Sequence, residues 1–507
     1  MKQTQHTRTE NQAPMEIELK LALPGTDASS LEQQLTKLAL LAGQRATHEQ
    51  LNNTYYDTPY DDLNRRRMAL RIRRVGGPAK AVWLQTLKIG GAAHSALSQR
   101  GEWESAVEGN ALSLDMLRDT PWVEHDPDNT FFQALTPRFT TDFKRTRWSV
   151  QHPDGSTVEV ALDLGQITVG PHHVPICELE LELKAGEASA LFRVATEIAQ
   201  TMAVLPLGSS KAQRGFALAS QTPEQALRSQ AASLGREMAV PDAATLVLRE
   251  MFCHFTTNLH AMVLSDDPEV VHQARVAWRR FKTGLKLFKN TALVQAAPTW
   301  QALQPLLMAL GRLRDLEVAN LETLPMLAHA YVGGSRKRAQ HWRTLQLALT
   351  DAAARQLHLV RGALNDPTVG QTLIAMTQWL ESSPSATACA AAPLPQRKTT
   401  SLRKWGNQRM ERWNENLTTA LRKSGKPASR HRARILAKRL RYGTDALRSL
   451  LPKRRAQQWL RQASQLQSTL GAERDRLHAL TIARELKAHD SLLKFLRASA
   501  RTVGQAF

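Results

Sequence analysis

Between Ile176 and Lys184 every second side chain is an acid: Glu178, Glu180 and Glu182 alternate with Leu179, Leu181 and Leu183. Period-two alternation marks a β-strand and puts the three carboxylates on one face, the leucines on the other. Met15 to Lys20 repeats the device, with Ile17 and Leu19 set against Glu16, Glu18 and Lys20. One such strand is commonly the wet face of an antiparallel sheet. Here further strand-like stretches carry complementary charges in phase: Arg71 and Arg73 in Met68–Arg73, and Lys88 in Ala81–Lys88. Arg100, Glu102 and Glu104 share a face in Gln99–Val107, as do Arg145 and Arg147 in Phe143–Val150, and Glu159 and Asp163 in Val158–Leu164.

About eight short strands, with a hairpin signal at Asp154-Gly155, predict an antiparallel sheet closed on itself. Helices are expected over Gly25–Leu41 and Glu187–Met202, and a short turn from Ser209 to Gly215. An eight-stranded barrel has room for one small ligand. Buried ions cost several kcal/mol each unless compensated, so a lumen with both signs is wet or filled with counter-charge. Carboxylates hold Mg2+ or Mn2+, while Arg and Lys grip phosphoryl oxygens, so the mixture suits a metal-bound phosphate chain. An ordinary sheet with one wet face remains the alternative, with its charges scattered or paired to neighbours.

The rest of the 507-residue chain follows a different design. Residues 1–220 hold 23 Lys+Arg against 26 Asp+Glu, whereas residues 221–507 hold 44 against 20, so the second half carries the whole net charge of +21. That excess points to a polyanionic partner. Three widely spaced cysteines, Cys177, Cys253 and Cys389, suit a reducing compartment, and a cytoplasmic location is expected. No apolar run is long enough to span a membrane. Residues 1–14 read as a disordered tail, 15–220 as the β domain, 221–241 as a linker, and 242–507 as a helical domain of two repeats, about 242–380 and 401–507.

In Val271–Lys289 the residues Val271, Ala274, Trp278, Phe281, Leu285 and Phe288 form an apolar helical stripe. His272, Arg275, Arg279, Lys282, Lys286 and Lys289 form a cationic ridge beside it, with no acid between Val270 and Arg314. Like charges at i,i+4 repel by about 0.2–0.5 kcal/mol per pair, which a bound anion would offset. The segment recurs. His272-x-x-Arg275 and Arg279-Arg280-x-Lys282 match His431-x-x-Arg434 and Lys438-Arg439-x-Arg441, and Leu310-Gly311-x-x-Arg314-Asp315 matches Leu470-Gly471-x-x-Arg474-Asp475, the two copies separated by a Ser/Pro/Ala-rich loop, Glu381–Thr400. The second copy departs at Asp445, standing where Lys286 stands, and at Ala472 for Arg312.

Glu16-x-Glu18-x-Lys20 resembles the ExExK signature of CYTH domains, the triphosphate tunnel metalloenzymes. Tyr56-Asp57-Thr58, Leu70-x-x-Arg73, Lys88, Arg100-x-Glu102, Arg145-x-Arg147, Glu178-x-Glu180 and Lys211-x-x-Arg214 follow in that family's order. The resemblance implies Glu16, Glu18, Lys20 and Lys88 as catalytic residues, and Glu16, Glu18, Glu178 and Glu180 as ligands of Mg2+ or Mn2+. It implies Lys20, Arg71, Arg73, Lys88, Arg145, Arg147, Lys211 and Arg214 as the triphosphate-binding set, with Glu102, Glu104, Glu159 and Asp163 as further lining and Glu182 in phase beyond them. The paired His-x-x-Arg segments resemble the CHAD domain, a helical domain that implies inorganic polyphosphate binding. By that resemblance the binding residues are His272, Arg275, Arg279, Arg280, Lys282, Lys286, Arg312 and Arg314, with His431, Arg434, Lys438, Arg439 and Arg441.

The expected whole is thus an α+β multidomain chain: an N-terminal eight-stranded antiparallel β tunnel with helices, then all-α duplicated helical bundles. The implied function is a metal-dependent inorganic triphosphatase acting on tripolyphosphate, its basic domain binding long-chain polyphosphate. Two alternatives stay open. One is a class IV-type adenylate cyclase or another nucleoside or thiamine triphosphatase; the other is a non-enzymatic polyphosphate- or nucleic-acid-binding scaffold. Nucleic acid would want aromatics for base stacking; Trp278 and Phe281 fall on the buried stripe, whereas Trp405, Trp413 and Tyr442 leave that route open.

Overall fold

Strands β1 (Met15–Ala22), β2 (Thr47–Asp57), β3 (Met68–Val75), β4 (Val82–Gly90), β5 (Leu97–Val107), β6 (Thr136–Gln151), β7 (Thr157–Val169) and β8 (His172–Ala185) pair in the order β5-β4-β3-β2-β6-β7-β8-β1. A further β1–β5 pairing closes the ring, and every neighbouring pair is antiparallel. The computed structural model describes residues 15–25, 27–76, 81–90, 95–220, 226–229, 231–382, 401–422 and 427–504. The tail expected over residues 1–14 and all but the first two residues of the Glu381–Thr400 loop lie outside the described residues, as do 221–225 and 230 of the expected linker.

Register explains why the charges meet. Cross-strand partners share a face, and the barrel sets Glu16 opposite Arg100, Lys20 opposite Glu180, Lys88 opposite Glu102, and Asp163 opposite both Arg145 and Glu178. The intervening Leu179 and Leu181 point outward and are fully buried. Helix α1 (Ala28–Thr36) starts at an Asp27 cap and is shorter than the Gly25–Leu41 expectation. Beyond Thr36 the chain turns, Gly43 taking φ +81°, and Leu41 reaches the core from that turn. Helix α2 (Ser189–Ala199) covers β7, β8 and β1, burying Leu191, Val194 and Ile198.

The expected turn after Ser209 is instead helix α3 (Lys211–Ala219). The signal lies in Ser210-x-x-Gln213: the Ser210 hydroxyl accepts from the Gln213 amide, and the Gln213 side chain accepts from the Ser210 N–H, a capping box. Phe216 of α3 joins Leu51, Tyr55, Phe139, Phe143, Ile167 and Ile176 in an apolar cluster. Gly215 is required there, because a Cβ would stand 2.2 Å from the Phe139 ring.

The chain divides into two compact units, residues 1–224 and 225–507. The second is helical: α4 (Val240–Leu264), α5 (Pro268–Leu287), α6 (Gln304–Glu317), a π-helical stretch Val318–Thr323, α7 (Pro325–Val332), α8 (Arg336–Leu364), α9 (Pro367–Glu381), α10 (Leu402–Arg422), α11 (Pro427–Ala446), α12 (Lys453–Glu485) and α13 (Asp490–Gly504). The α4–α5 pair has its counterpart in α10–α11, and α5 packs against α11. All six residues of the apolar stripe on Val271–Lys289 are buried. No helix among the described residues is long and apolar enough to cross a membrane.

Candidate functional site

Of the twelve residues expected to bind metal or triphosphate in the barrel, nine line one cavity of about 270 Å3; Glu18, Glu178 and Arg214 lie behind them. The lining holds nine basic and six acidic side chains, and Glu18, Asp163 and Glu178 behind it meet Lys20, Arg100, Arg145 and Lys211. Glu16 accepts from Lys88 at 2.8 Å and from the Arg100 Nε at 2.9 Å. Glu18, only 2% exposed, accepts from both Lys20 and Arg100. Lys88 also reaches Glu102 at 3.0 Å. Burial raises the Glu16 carboxyl, but Lys88 and Arg100 outweigh it and the group sits below the usual range.

A second group lies on β7 and β8. Carboxylate oxygens of Asp163, Glu178 and Glu180 fall within 4.8 Å of one another, close enough to share a metal ion. Lys211 already holds them together, 2.6 Å from Asp163, 3.0 Å from Glu180 and in contact with Glu178. Arg145 clasps Asp163 through two 2.7 Å bonds and also donates to Glu180, and Arg214 donates to Glu178. Burial works against the Glu180 anion, yet Lys211 and Arg145 carry its carboxyl well below the ordinary value. Asp163, Glu178 and Glu180 in turn raise Lys211 despite its burial. An ammonium therefore stands among three carboxylates suited to a divalent cation. Glu178 and Glu180 fall in this group as two of the four expected ligands, Asp163 joins them, and Glu16 and Glu18 are engaged elsewhere by Lys88, Arg100 and Lys20.

Arg73 stands out. Its Nε donates to Asn53 at 2.8 Å, and no carboxylate within ion-pair distance meets it among the described residues. Burial, with Arg71 and Arg145 beside it, pushes its guanidinium down to about 10. The neighbouring Arg71, 7% exposed, donates to the Tyr55 hydroxyl at 3.2 Å and lies 3.6 Å from Glu102, while its buried Nε has no partner. Arg147 pairs with Glu49 and stands 3.9 Å from Glu159. Glu104 bonds to Thr86, and Glu182, raised by burial and by Glu16 and Glu159 nearby, pairs with Lys184 at 2.7 Å. Arg100 and Tyr55 are lining residues the sequence reading left out of its binding set; Arg100 was legible, lying in phase with Glu102.

In the helical unit Arg275, Arg279 and Lys282 of α5 line a cavity of about 230 Å3 against Leu307, Met308 and Leu310 of α6. Arg275 lies over Gly311, where a Cβ would come within 2.7 Å of its Nη1, which accounts for glycine in the Leu310-Gly311 motif. Burial and Arg279 depress Arg275 to about 10; burial, then Arg279, Arg434 and Arg474, depress Lys438 to about 7. Cations from α5, α11 and α12 thus crowd one region and repel one another. His272 is half-buried, held down by burial and then by Arg314; His431 is exposed. Lys286 is exposed and feels Arg439 across from it.

Arg280, one of the residues implied for polyphosphate binding, faces away from the ridge. It is 1% exposed, donates to Glu250 at 3.3 and 3.4 Å, meets the His254 Nδ1 at 3.3 Å, and lies 3.7 Å from Asp445. One residue past Arg279 is about 100° further round a helix, enough to turn it from the ridge into the packing against α4. The acid at position 445 thus serves Arg280. Arg312 pairs with Glu485, Arg314 with Glu317 and Glu322, and the exposed Arg441 with Gln467. The Glu317 carboxyl is pushed up to about 7, by burial first.

A protein described as an inorganic triphosphatase from Haemophilus influenzae is 36% identical over 213 residues, covering 42% of this chain and 57% of that protein; the chain thus spans little more than half the relative's length. A CHAD domain structure from Ricinus communis is 26% identical with a TM-score of 0.44, covering 54% of this chain and 90% of that one. A Hippeastrum structure, described as a putative adenylyl cyclase with a dominant triphosphatase activity, is 20% identical with a TM-score of 0.30, covering 41% and 96%. The CYTH domain family matches residues 14–216 and the CHAD domain family residues 246–484. The chain belongs to both families, a CYTH domain followed by a CHAD domain.

Proposed function

We propose that the barrel hydrolyses a bare triphosphate chain to diphosphate and phosphate with the help of Mg2+ or Mn2+, and that the helical unit binds inorganic polyphosphate. The observation that carries the first half is Arg73, a part-buried guanidinium at the lumen wall with no carboxylate within ion-pair distance among the described residues. A triphosphate supplies the missing anion. The relative described as an inorganic triphosphatase supports the same reading.

Arg71, Arg73, Arg147 and Lys88 would grip phosphoryl oxygens and neutralise charge growing on the diphosphate leaving group. Glu16 and Glu18 hold Lys20, Lys88 and Arg100 in place for that work. Asp163, Glu178 and Glu180 would hold the divalent cation, which supplies Lewis-acid polarisation and a more acidic water. Lys211 would then turn from those carboxylates towards phosphate. In the helical unit, the mutual repulsion around Arg279, Arg434 and Lys438 is what a polyanion relieves.

Phosphate release from tripolyphosphate, ATP and thiamine triphosphate, with each metal and with EDTA, tests the reading. Turnover of tripolyphosphate that is lost in Glu180→Gln supports it; no release from any of the three overturns it.

A further inference from the structure

Tyr55 is the lining residue whose chemistry is left over. It is 4% exposed, and its ring stacks on Phe139 with centroids 4.6 Å apart and planes at 15°. Phe139 in turn meets Phe216 of α3 edge-on at 5.0 Å. The ring is therefore backed by two further aromatic side chains in series, and its hydroxyl is held at the cavity wall. There the oxygen accepts from the Arg71 Nη1 at 3.2 Å. Its own proton has no acceptor among the described residues.

A buried hydroxyl with an unused donor is costly, and native structures seldom leave one. The groups around it are mainly donors too: Arg71 and Arg73 of β3 and Lys88 of β4, with Glu102 engaged by Arg71 and Lys88 and Glu104 by Thr86. Phe139 on β6 and Phe216 on α3 offer it nothing polar. What the site lacks is an anionic acceptor.

We infer that Tyr55 donates a hydrogen bond to a phosphoryl oxygen of the chain bound in the tunnel, so that a neutral phenol takes part in triphosphate recognition alongside the basic residues. This rests on the triphosphate reading above. The hydroxyl fits the role because it is presented at fixed angle and, unlike another cation, adds no repulsion to a lumen already rich in positive charge. Burial raises the phenol, but Arg71, Arg73 and Lys88 outweigh it and bring it below the usual tyrosine range. A phosphoryl oxygen accepting its hydrogen bond would favour the neutral phenol and reverse that shift.

The full-length protein is titrated with alkali, phenolate formation being followed by ultraviolet difference absorption, with and without saturating inorganic tripolyphosphate. Tyr55→Phe, which keeps the stack on Phe139, identifies the Tyr55 component; Tyr60→Phe, at an exposed position (73%), is the control. The expected results are an early-ionising component that tripolyphosphate moves upward, absent from Tyr55→Phe, and about a tenfold or greater loss of tripolyphosphate affinity in that variant, as for a hydrogen bond to a charged group. A wild-type titration unmoved by tripolyphosphate, or unchanged affinity in Tyr55→Phe, overturns the inference and leaves Tyr55 a support for Arg71. Phosphate release by the wild type is scored separately: binding without hydrolysis sinks the enzymatic reading while the Tyr55 contact stands.

Discussion

Replacing Lys211 with methionine removes the one ammonium that three carboxylates share. Asp163 and Glu178 are each 0% exposed, and Arg145 and Arg214 are the cations left to them and to Glu180. Three anions then meet two guanidiniums directly, with Lys20 acting on Glu180 only through its field, and losing the shared ammonium costs up to about 3–5 kcal/mol. In metal-free buffer at pH 7, urea unfolding followed by tryptophan fluorescence should show the barrel transition destabilised by about that much. The pH dependence fixes the sign. In the wild type Lys211 is held above its ordinary value, so its contribution persists through neutrality and is lost only in strong alkali. The variant lacks that contribution at every lower pH, so the two proteins converge only in strong alkali. Mg2+ or Mn2+ gives a second arm: at a hundredfold excess over Kd a native-state ligand stabilises by about 2.7 kcal/mol, and the variant should gain more than the wild type. Adding Glu178→Gln should recover part of the loss, less what Arg214 forfeits with its charged partner. A Lys211→Met protein that unfolds at the wild-type midpoint in metal-free buffer, with no difference across pH, refutes the reasoning.

Gly215→Ala drives a Cβ to 2.2 Å from Phe139 and should destabilise the barrel by about 1–3 kcal/mol, measured by thermal unfolding, while displacing Lys211 and Arg214 enough to lower tripolyphosphate turnover. Arg279→Ala should weaken polyphosphate binding with little change in melting temperature, whereas Arg280→Ala, which breaks the buried bonds to Glu250, should cost about 1.5–3 kcal/mol in the helical unit; calorimetry and a filter-binding assay separate the two. Lys438, depressed to about 7, loses its charge as pH rises past neutrality. Polyphosphate binding near pH 8 should therefore be accompanied by proton uptake, read by titration calorimetry in buffers of different ionisation enthalpy, and Lys438→Met should lose that uptake.

Much of the barrel was legible because strand phase alone decides which side chains share a face. Glu178, Glu180, Arg145 and Arg147 needed no three-dimensional information beyond alternation and closure. Helix α3 was misread as a turn because its first residues, Lys211 to Arg214, are polar and the capping box is a hydrogen-bond pattern with no hydrophobic period. Asp163 was read only as lining; its place beside Glu178 comes from the β7–β8 register, which one strand's pattern cannot give. Arg280 entered the binding set with its motif, and composition does not distinguish a cation facing solvent from one facing Glu250. The acid at 445, read as a weakened ridge in the second repeat, proved to be a partner for the first.

β1 is the seam of the barrel, paired with β5 along one edge and β8 along the other. It is the first of the strands to be synthesised, yet its second edge stays open until Glu182 has been made. Strands waiting unpaired are where nascent chains stick to one another, and charge along such an edge discourages it. Glu16, Glu18 and Lys20 therefore keep a lone ribbon dissolved during synthesis, before the lumen they line exists.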